Sequence, residues 1–199
     1  MLRRTVLIAA AACLIGSLPA ASQTPAKRIR GTVQSLDGQV LSVRTAAGEV
    51  VKITLAANYT VGLLAPTTID KVKPGSFVGI VGIGPNDRQR AVVVTIFPPG
   101  APANELQIPW DSLPNSTMTN ATVESEVTAN DGRELTVVMK GQKVQVAVPP
   151  SAVIVEVLPG TPAQVLPGAG VIVVAQQAAD GQLTAARLNV GKGGFTPPM

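Results

Sequence analysis

Side chains that could do covalent chemistry are scarce in this sequence of 199 residues. It contains no histidine, and its single cysteine, Cys13, lies close to the N-terminus. Beyond that cysteine, neither Ser-His-Asp nor Cys-His catalysis is available. Serine–lysine and paired-carboxylate chemistry stay open. Four aspartates, however, stand beside turn residues: Asp37, Asp87, Asp131 and Asp180. Turn formation explains that placement better than catalysis does, so we expect a protein that is not an enzyme.

Metal and cofactor sites are not indicated by the pattern of ligand types either. Zinc and copper prefer imidazole and thiolate ligands, and the methionines beyond the N-terminal region are dispersed, at Met118, Met139 and Met199. Asn130 and Asp131 lack the spacing of a calcium loop. The glycines of 79–84 (GIVGIG) lie in a predicted strand with no helix after it, which excludes a dinucleotide site. The sequence predicts no metal and no cofactor.

Trp110 and Asp111 are the candidate interaction residues. Trp110 is the only tryptophan and lies in a polar segment rich in proline, and tryptophan is enriched at binding hot spots. The alternative is that Trp110 seals a joint between two domains. Ile108 and Leu113 in the same segment favour some packing there. Both readings place Trp110 at a contact surface.

The small number of aromatic residues argues against nucleic-acid binding. Single-strand binding in small barrels uses aromatic side chains along a basic groove. The chain has only one tyrosine and three phenylalanines besides the tryptophan, and Phe77 and Phe97 lie in apolar stretches that predict core strands. The basic residues are also dispersed. We expect no nucleic-acid partner.

The N-terminus predicts export. Residues 1–22 carry two arginines, Arg3 and Arg4, then an apolar run and small residues, which is the layout of a signal peptide. Lipidation at Cys13 is a weaker alternative. Removing the segment lowers the net charge from +4 by two, so the basic balance is mostly a targeting feature. No later segment is apolar for long enough to span a membrane. The predicted location is periplasmic or secreted.

The two halves of the chain repeat each other loosely. In the stretch DKVKPGSFVGIVGIG, Val72, Pro74 and Gly75 correspond to residues 93 positions later in AQVLPGAGVIVVAQQ. Upstream, 31–33 (GTV) corresponds to 121–123 (ATV). Repetition at such a distance indicates a duplicated structural unit.

Each half reads as a set of short strands. Val51, Ile53 and Leu55 alternate with polar residues, which is the pattern of a half-buried strand. The dipeptides 37–38 and 131–132, both Asp-Gly, predict hairpin turns. Helical periodicity is nearly absent from the sequence. The chain is therefore predicted to be all-β.

The repeated Pro-Gly motif predicts a helical turn followed by a strand in each half. The stretches 67–70 (TTID) and 161–164 (TPAQ) each resemble a capped start of one helical turn. Proline and glycine then end that turn and lead into a very apolar strand. A five- or six-stranded barrel with one such turn is typical of the OB architecture.

Two tandem small OB-like β-barrels, each with one short helical turn, are therefore the expected fold. The domain boundaries follow from the repeat and from composition. They are a signal peptide 1–22, a first OB-like domain 27–97, a Pro-rich linker 98–117, a second OB-like domain 118–191 and a flexible tail 192–199.

A family resemblance supports this organisation. The pattern RGTV, DG, LSV and KPGSFVGIVG resembles a bacterial family of exported β domains of unknown function. The chain is also similar to a group of small exported proteobacterial proteins in 109–111 (PWD), 116–123 (STMTNATV) and 196–199 (TPPM). Sequences of that kind sometimes carry a metal-transporter permease label. The absence of a predicted membrane span after the signal peptide, and of soft metal ligands, argues against that role here.

The expected function is therefore that of an exported, non-enzymatic envelope protein that binds a partner protein, a cell-wall polymer or a small ligand. The alternative is an accessory role in envelope metal or solute transport. Trp110 and Asp111 are the residues expected to take part in contacts.

Overall fold

The computed structural model of this chain describes residues 26–130 and 132–198. The predicted signal peptide 1–22, Asp131 of the second predicted hairpin turn, and Met199 lie outside the described residues. In the described part the protein is all-β, and its helical structure is limited to 3-10 turns at Ile69–Lys71, Pro162–Gln164 and Lys192–Gly194. The strands are β1 (Lys27–Asp37), β2 (Val40–Thr45), β3 (Val50–Pro66), β4 (Phe77–Ile83), β5 (Arg88–Ile96), β6 (Leu106–Trp110), β7 (Ser116–Ala129), β8 (Gly132–Met139), β9 (Gln142–Val148), β10 (Val153–Gly160), β11 (Gly170–Gln177) and β12 (Leu183–Gly191).

Alternating side chains explain why these segments are strands. In β3, Ile53 and Leu55 are buried, whereas Lys52 is exposed and Thr54, between them, is half-buried. The same period of two buries Val144, Val146 and Val148 of β9. Such a strand is stable only where its apolar face meets another sheet face.

Five strands close a β-barrel, here named the first ring. β1 pairs with β2, β2 with β3, β3 with β12, β12 with β11, and β11 with β1 again. The interior of the first ring is filled by the apolar side chains of these strands. Its most deeply buried large members are Leu41, Ile53, Leu55 and Leu188.

A second closed ring of paired strands is formed by β4, β5, β9, β8 and β7. Its interior is a separate apolar cluster that includes Ile80, Leu135 and Val144. In both rings only one pairing is parallel, β12 with β3 in the first and β5 with β9 in the second. The two rings therefore have the same pattern of neighbours.

The rings draw their strands from both halves of the chain. The sequence assigned one barrel to 27–97 and another to 118–191. In the structure, the first ring combines β1, β2 and β3 with β11 and β12, and the second combines β4 and β5 with β7, β8 and β9. The arrangement of strands is thus an exchange and not a tandem sequence of barrels. Periodicity predicts strands but not their partners, which explains the difference.

The exchange is centred on β3 and β10, which pair antiparallel. Leu64 lies directly opposite Val157, and these two residues are 93 positions apart, the same interval that separates the Pro-Gly motifs. Both belong to a third apolar cluster, here named the central cluster: Leu64, Val81, Val93, Met118, Val155, Val157 and Ile172. The central cluster joins the two rings because its members come from strands of both.

The predicted helical turns are present as 3-10 turns that precede glycines of positive φ. The turn Ile69–Lys71 is followed by Gly75 with φ of 86°, and Pro162–Gln164 by Gly168 with φ of 88°. Thr161 and Gln164 form the capping box that the sequence suggested.

The linker and the tail contain more packing than their composition indicates. Within the linker 98–117, β6 pairs antiparallel with β7, and Ile108 and Trp110 pack against the central cluster. Leu113, which was expected to pack as well, is 37% exposed. In the tail 192–199, Phe195 follows a 3-10 turn and packs against the same cluster.

Candidate functional site

A wide cleft lies beside the first Pro-Gly motif. Its volume is about 690 Å³. Pro74 and Gly75 form one wall, the loop 98–101 forms another, and Val157 to Pro159 of β10 close the third side. The cleft therefore lies where the first 3-10 turn, the end of β5 and the central strand β10 meet.

Two aromatic rings line this cleft. Phe77 and Phe97 have ring centroids 5.5 Å apart and planes tilted by 36°. The apolar stretches around them predicted that both lie in the core. The structure places both only partly buried and in the cleft wall, although Phe97 also packs on the central cluster. Phe77 begins β4 and Phe97 follows β5. Both side chains therefore lie at the edge of the second ring and not in its interior.

An ion pair lies at the rim of this cleft, here named the aromatic cleft. The Lys71 ammonium lies 2.9 Å from both carboxylate oxygens of Glu156. The Glu156 side chain is 21% exposed and that of Lys71 is 56% exposed. A charged pair above an apolar floor supplies one donor and one acceptor that can orient a bound molecule.

A smaller cleft of about 360 Å³ lies beside the second Pro-Gly motif. It is lined by Leu63, Pro167, Gly168 and Gly191 among others, with no aromatic side chain in the described lining. Gly170 and Gly191 stand at the positions that correspond to Phe77 and Phe97 by strand register. The two clefts are therefore alike in position and different in chemistry.

Trp110 lies between the rings, under two guanidinium groups. The Arg28 Cζ atom lies 4.0 Å from the centroid of the Trp110 ring, and the Arg30 Cζ atom lies 5.6 Å from it. Arg28 and Arg30 belong to β1 of the first ring, whereas Trp110 ends β6, which pairs with the second ring. Cation–π attraction across this joint adds to the contact that the central cluster makes between the two rings. The indole Nε1 atom is buried and has no hydrogen-bond acceptor within the described part.

Asp111 contacts the same two arginines and is partly exposed to solvent. Its carboxylate accepts hydrogen bonds from both terminal nitrogens of Arg30, at 2.7 and 3.2 Å, and lies 3.9 Å from a terminal nitrogen of Arg28. The hydrogen bond from Arg30 lowers the pKa of Asp111 below the ordinary value of 3.8, and burial opposes that shift. The structure thus brings Trp110 and Asp111 together with two arginines, but neither residue lines the aromatic cleft.

The two arginines and the cleft phenylalanines were not predicted to be site residues from the sequence. Arg28 and Arg30 alternate with apolar Ile29 at the start of a strand, which is the signal that they share its outer face. For Phe77 and Phe97 the available signal was their position at the strand ends, beside Pro-Gly and Pro-Pro-Gly.

Comparisons of this chain with protein-family models, curated proteins and solved structures find no match. In the described ranges, no group of three or more His, Cys, Asp or Glu side chains is placed to hold a metal ion. Across residues 26–130 and 132–198, none of the helical segments has the length and apolarity that a membrane crossing requires.

Proposed function

We propose that this protein is an exported, non-enzymatic envelope protein that binds a ligand or a partner in the cleft lined by Phe77 and Phe97. Its fold is proposed to be two OB-like barrels that have exchanged strands. The observation that carries the proposal is the contrast between the two related clefts. One has a pair of phenylalanines and a charged rim, and the other has glycines at the corresponding places.

The chemistry of the cleft supports binding. Much of its wall is proline and glycine, which have no side-chain entropy to lose when a ligand is bound. Lys71 and Glu156 supply a polar contact at the rim. An apolar, preformed cleft with few polar groups fits a small ligand, a wall fragment or the side chains of a partner protein.

Location in the periplasm or outside the cell is part of the same proposal, and it rests on the layout of residues 1–22. The resemblance to exported β domains of unknown function is consistent with that location. The alternative, an accessory role in envelope metal or solute transport, predicts a different set of ligands and is tested in the same experiment.

The test is a thermal-shift screen of the protein that starts at Gln23, against cell-wall fragments, polyanions, divalent metals and envelope extract. A ligand present at 100 times its Kd stabilises by about 2.7 kcal/mol, which is readily measured. We expect stabilisation by wall fragments or extract that is reduced in Phe97→Leu, which removes the aromatic face but keeps an apolar side chain. Leu166→Ala, in the smaller cleft, is the matched control.

Two results would contradict the proposal. Stabilisation by a divalent metal alone would favour the transport role. Stabilisation that Phe97→Leu leaves unchanged would place the ligand outside the aromatic cleft.

A further inference from the structure

The C-terminal tail lies over two glycines of the first ring. Gly170 begins β11 and Gly191 ends β12, and these two strands are neighbours. A Cβ added to Gly191 would overlap the carbonyl oxygen of Phe195, and a Cβ added to Gly170 would lie 2.9 Å from Pro197 Cδ. For both glycines, the three atoms nearest to the added Cβ belong to the tail. The two glycines therefore form the floor of a groove, here named the tail groove, which residues 195–197 occupy.

The second ring fills the corresponding place with its own side chains. By strand register, Gly170 corresponds to Phe77 and Gly191 corresponds to Phe97. A phenylalanine side chain begins at its Cβ, and in the first ring the tail fills that position. The first ring therefore obtains from the tail the cover that the second ring obtains from two of its own residues.

The residue types in two corresponding turns compensate for this difference. After β5, the N–H of Ala101 donates to the carbonyl oxygen of Pro98 at 3.1 Å. After β12, the N–H of Phe195 donates to the carbonyl oxygen of Lys192, also at 3.1 Å. An aromatic ring is absent at Gly191 and is supplied instead by Phe195, which packs against the central cluster. This compensation indicates that the tail and the tail groove are complementary.

Apolar contact holds the tail in place. Phe195 packs against the central cluster, and among the described backbone hydrogen bonds none involves residues 196–198. Pro197 and Pro198 have no N–H to donate. Binding of the tail therefore depends on apolar burial and on shape, which a segment of another molecule with the same chemistry can reproduce.

The connection to β12 allows the tail to leave the groove. Gly193 and Gly194 have φ of 60° and 84°, and glycine also adopts other backbone conformations without steric cost. Phe195 has φ of −62° and ψ of 130°, which is close to polyproline II geometry. The tail is thus an extended segment that contains proline and follows a glycine hinge.

We propose that the tail groove is a peptide-binding site and that the chain's own tail is its resident, autoinhibitory occupant. The partner is a protein with an extended segment in which an aromatic residue stands two positions before a proline, as in 195–197 (FTP). Its aromatic ring takes the place of Phe195 against the central cluster, and its proline lies over Gly170. Segments of this kind bind well because polyproline II geometry is already formed before binding. The tail groove is distinct from the aromatic cleft, and this proposal does not rest on the function proposed there.

The test uses a capped synthetic peptide of residues 194–198 (GFTPP) and the 199-residue chain with Phe195→Ala, which weakens the resident tail. We expect the peptide to shift the amide NMR resonances of Gly170 and Gly191 in this variant and to raise its melting temperature. In the unchanged protein at least about tenfold more peptide is needed, because the tethered tail competes at a high effective concentration. The titration of the unchanged protein also tests the proposal if the variant does not fold.

Two controls distinguish the tail groove from a general loosening of the fold. Phe97→Ala removes the corresponding aromatic side chain of the second ring, and we expect it to create no peptide binding at Gly170 or Gly191. A peptide with alanine in place of its phenylalanine is expected to bind about tenfold more weakly, because it buries less apolar surface. Equal binding of the two peptides would contradict the proposal.

A double-mutant cycle tests where the tail lies. Gly170→Ala is expected to lower the melting temperature of the unchanged protein, because the new Cβ meets the tail. In the Phe195→Ala background the tail is already weakened, so the same change should have a much smaller effect.

Three further outcomes would overturn the proposal. One is the absence of a peptide-induced shift at Gly170 and Gly191 in both the variant and the unchanged protein. Another is a shift confined to residues of the aromatic cleft. The third is an equal loss from Gly170→Ala in the two backgrounds, which would mean that the tail does not cover this glycine.

Discussion

Trp110 illustrates how one side chain joins two parts of the fold. Its indole is covered by the Arg28 guanidinium and packs against the central cluster. A large aromatic ring in this position contributes both apolar burial and cation–π attraction. The side chain is therefore expected to matter for stability whether or not it also contacts a partner.

Trp110→Ala is expected to lower the free energy of unfolding by about 2–3 kcal/mol, somewhat less than for a fully buried aromatic residue because this one is only partly buried. Trp110→Phe should cost less, because it keeps a ring beneath Arg28. Urea unfolding followed by circular dichroism measures both. Equal losses in the two variants would show that the ring does not carry the effect.

Asp111 gives the protein a specific pH dependence. Because hydrogen bonding to Arg30 lowers its pKa in the folded state below 3.8, the carboxylate stabilises the fold above its unfolded pKa. That contribution is lost as the pH falls through the lower folded value. We expect Asp111→Asn to be less stable than the unchanged protein at pH 6, with a difference that shrinks toward zero as the pH falls below 3.8.

The control for this prediction is Asp87→Asn, which changes an exposed turn aspartate. Unfolding midpoints between pH 2 and pH 7 provide the measurement. A stability difference for Asp111→Asn that is independent of pH would show that its ion pair with Arg30 does not contribute.

At the scale of the elements, the two Pro-Gly turns are expected to respond alike to mutation. Gly75 and Gly168 both have positive φ, and a Cβ at either position would meet nothing within 4 Å. The cost of alanine there is conformational only, about 1 kcal/mol in each case. Thermal unfolding of Gly75→Ala and Gly168→Ala tests this equality, and a difference of more than about 1 kcal/mol between them would contradict it.

Gly31 is expected to be far more sensitive. It lies where β1 gains its second neighbour, and a Cβ there would overlap the carbonyl oxygen of Arg44 on β2. Because backbone cannot move aside as a flexible side chain can, Gly31→Ala should cost about 3 kcal/mol, at the upper end of overpacking effects. Denaturant titration beside Gly75→Ala measures the difference, and similar costs for the two would contradict it.

Local sequence signals predicted the elements well and their neighbours poorly. Alternation identified strands such as β3, and the motifs at 67–75 and 161–168 correctly located the 3-10 turns and their glycines. Alternation with a period of two does not determine which strands are neighbours. The exchange between halves was therefore not predicted. The same holds for the candidate site. Trp110 was recognised from its residue type, whereas its contact with Arg28 depends on the pairing of strands that are distant in the sequence.

At the scale of the whole molecule, neither half contains the strands to close a ring. Residues 26–103 hold β1, β2 and β3 without β11 and β12, and they hold β4 and β5 without β7, β8 and β9. We expect the separate fragments 26–103 and 104–198 to form no folded monomer, because each would expose unpaired edges and half of each apolar interior. Mixed together, they should assemble as a one-to-one complex.

Size-exclusion chromatography with light scattering and circular dichroism distinguish these outcomes. A chain cleaved within 98–103 after folding serves as the control, and it should keep both fragments associated. A stable folded monomer of 26–103 would contradict the strand pairings on which the two rings are based.

The pairing of β1 with β11 also determines when the first ring can form during folding. The first strand must wait for a segment that begins at Gly170 before its ring can close. Long loops must therefore close before the native contacts stabilise them, which slows folding. Until its last strands emerge, the first ring of a growing chain stays open, whereas the strands of the second ring are complete at Val148. That delay would suit a protein that has to be threaded through a narrow pore before it folds.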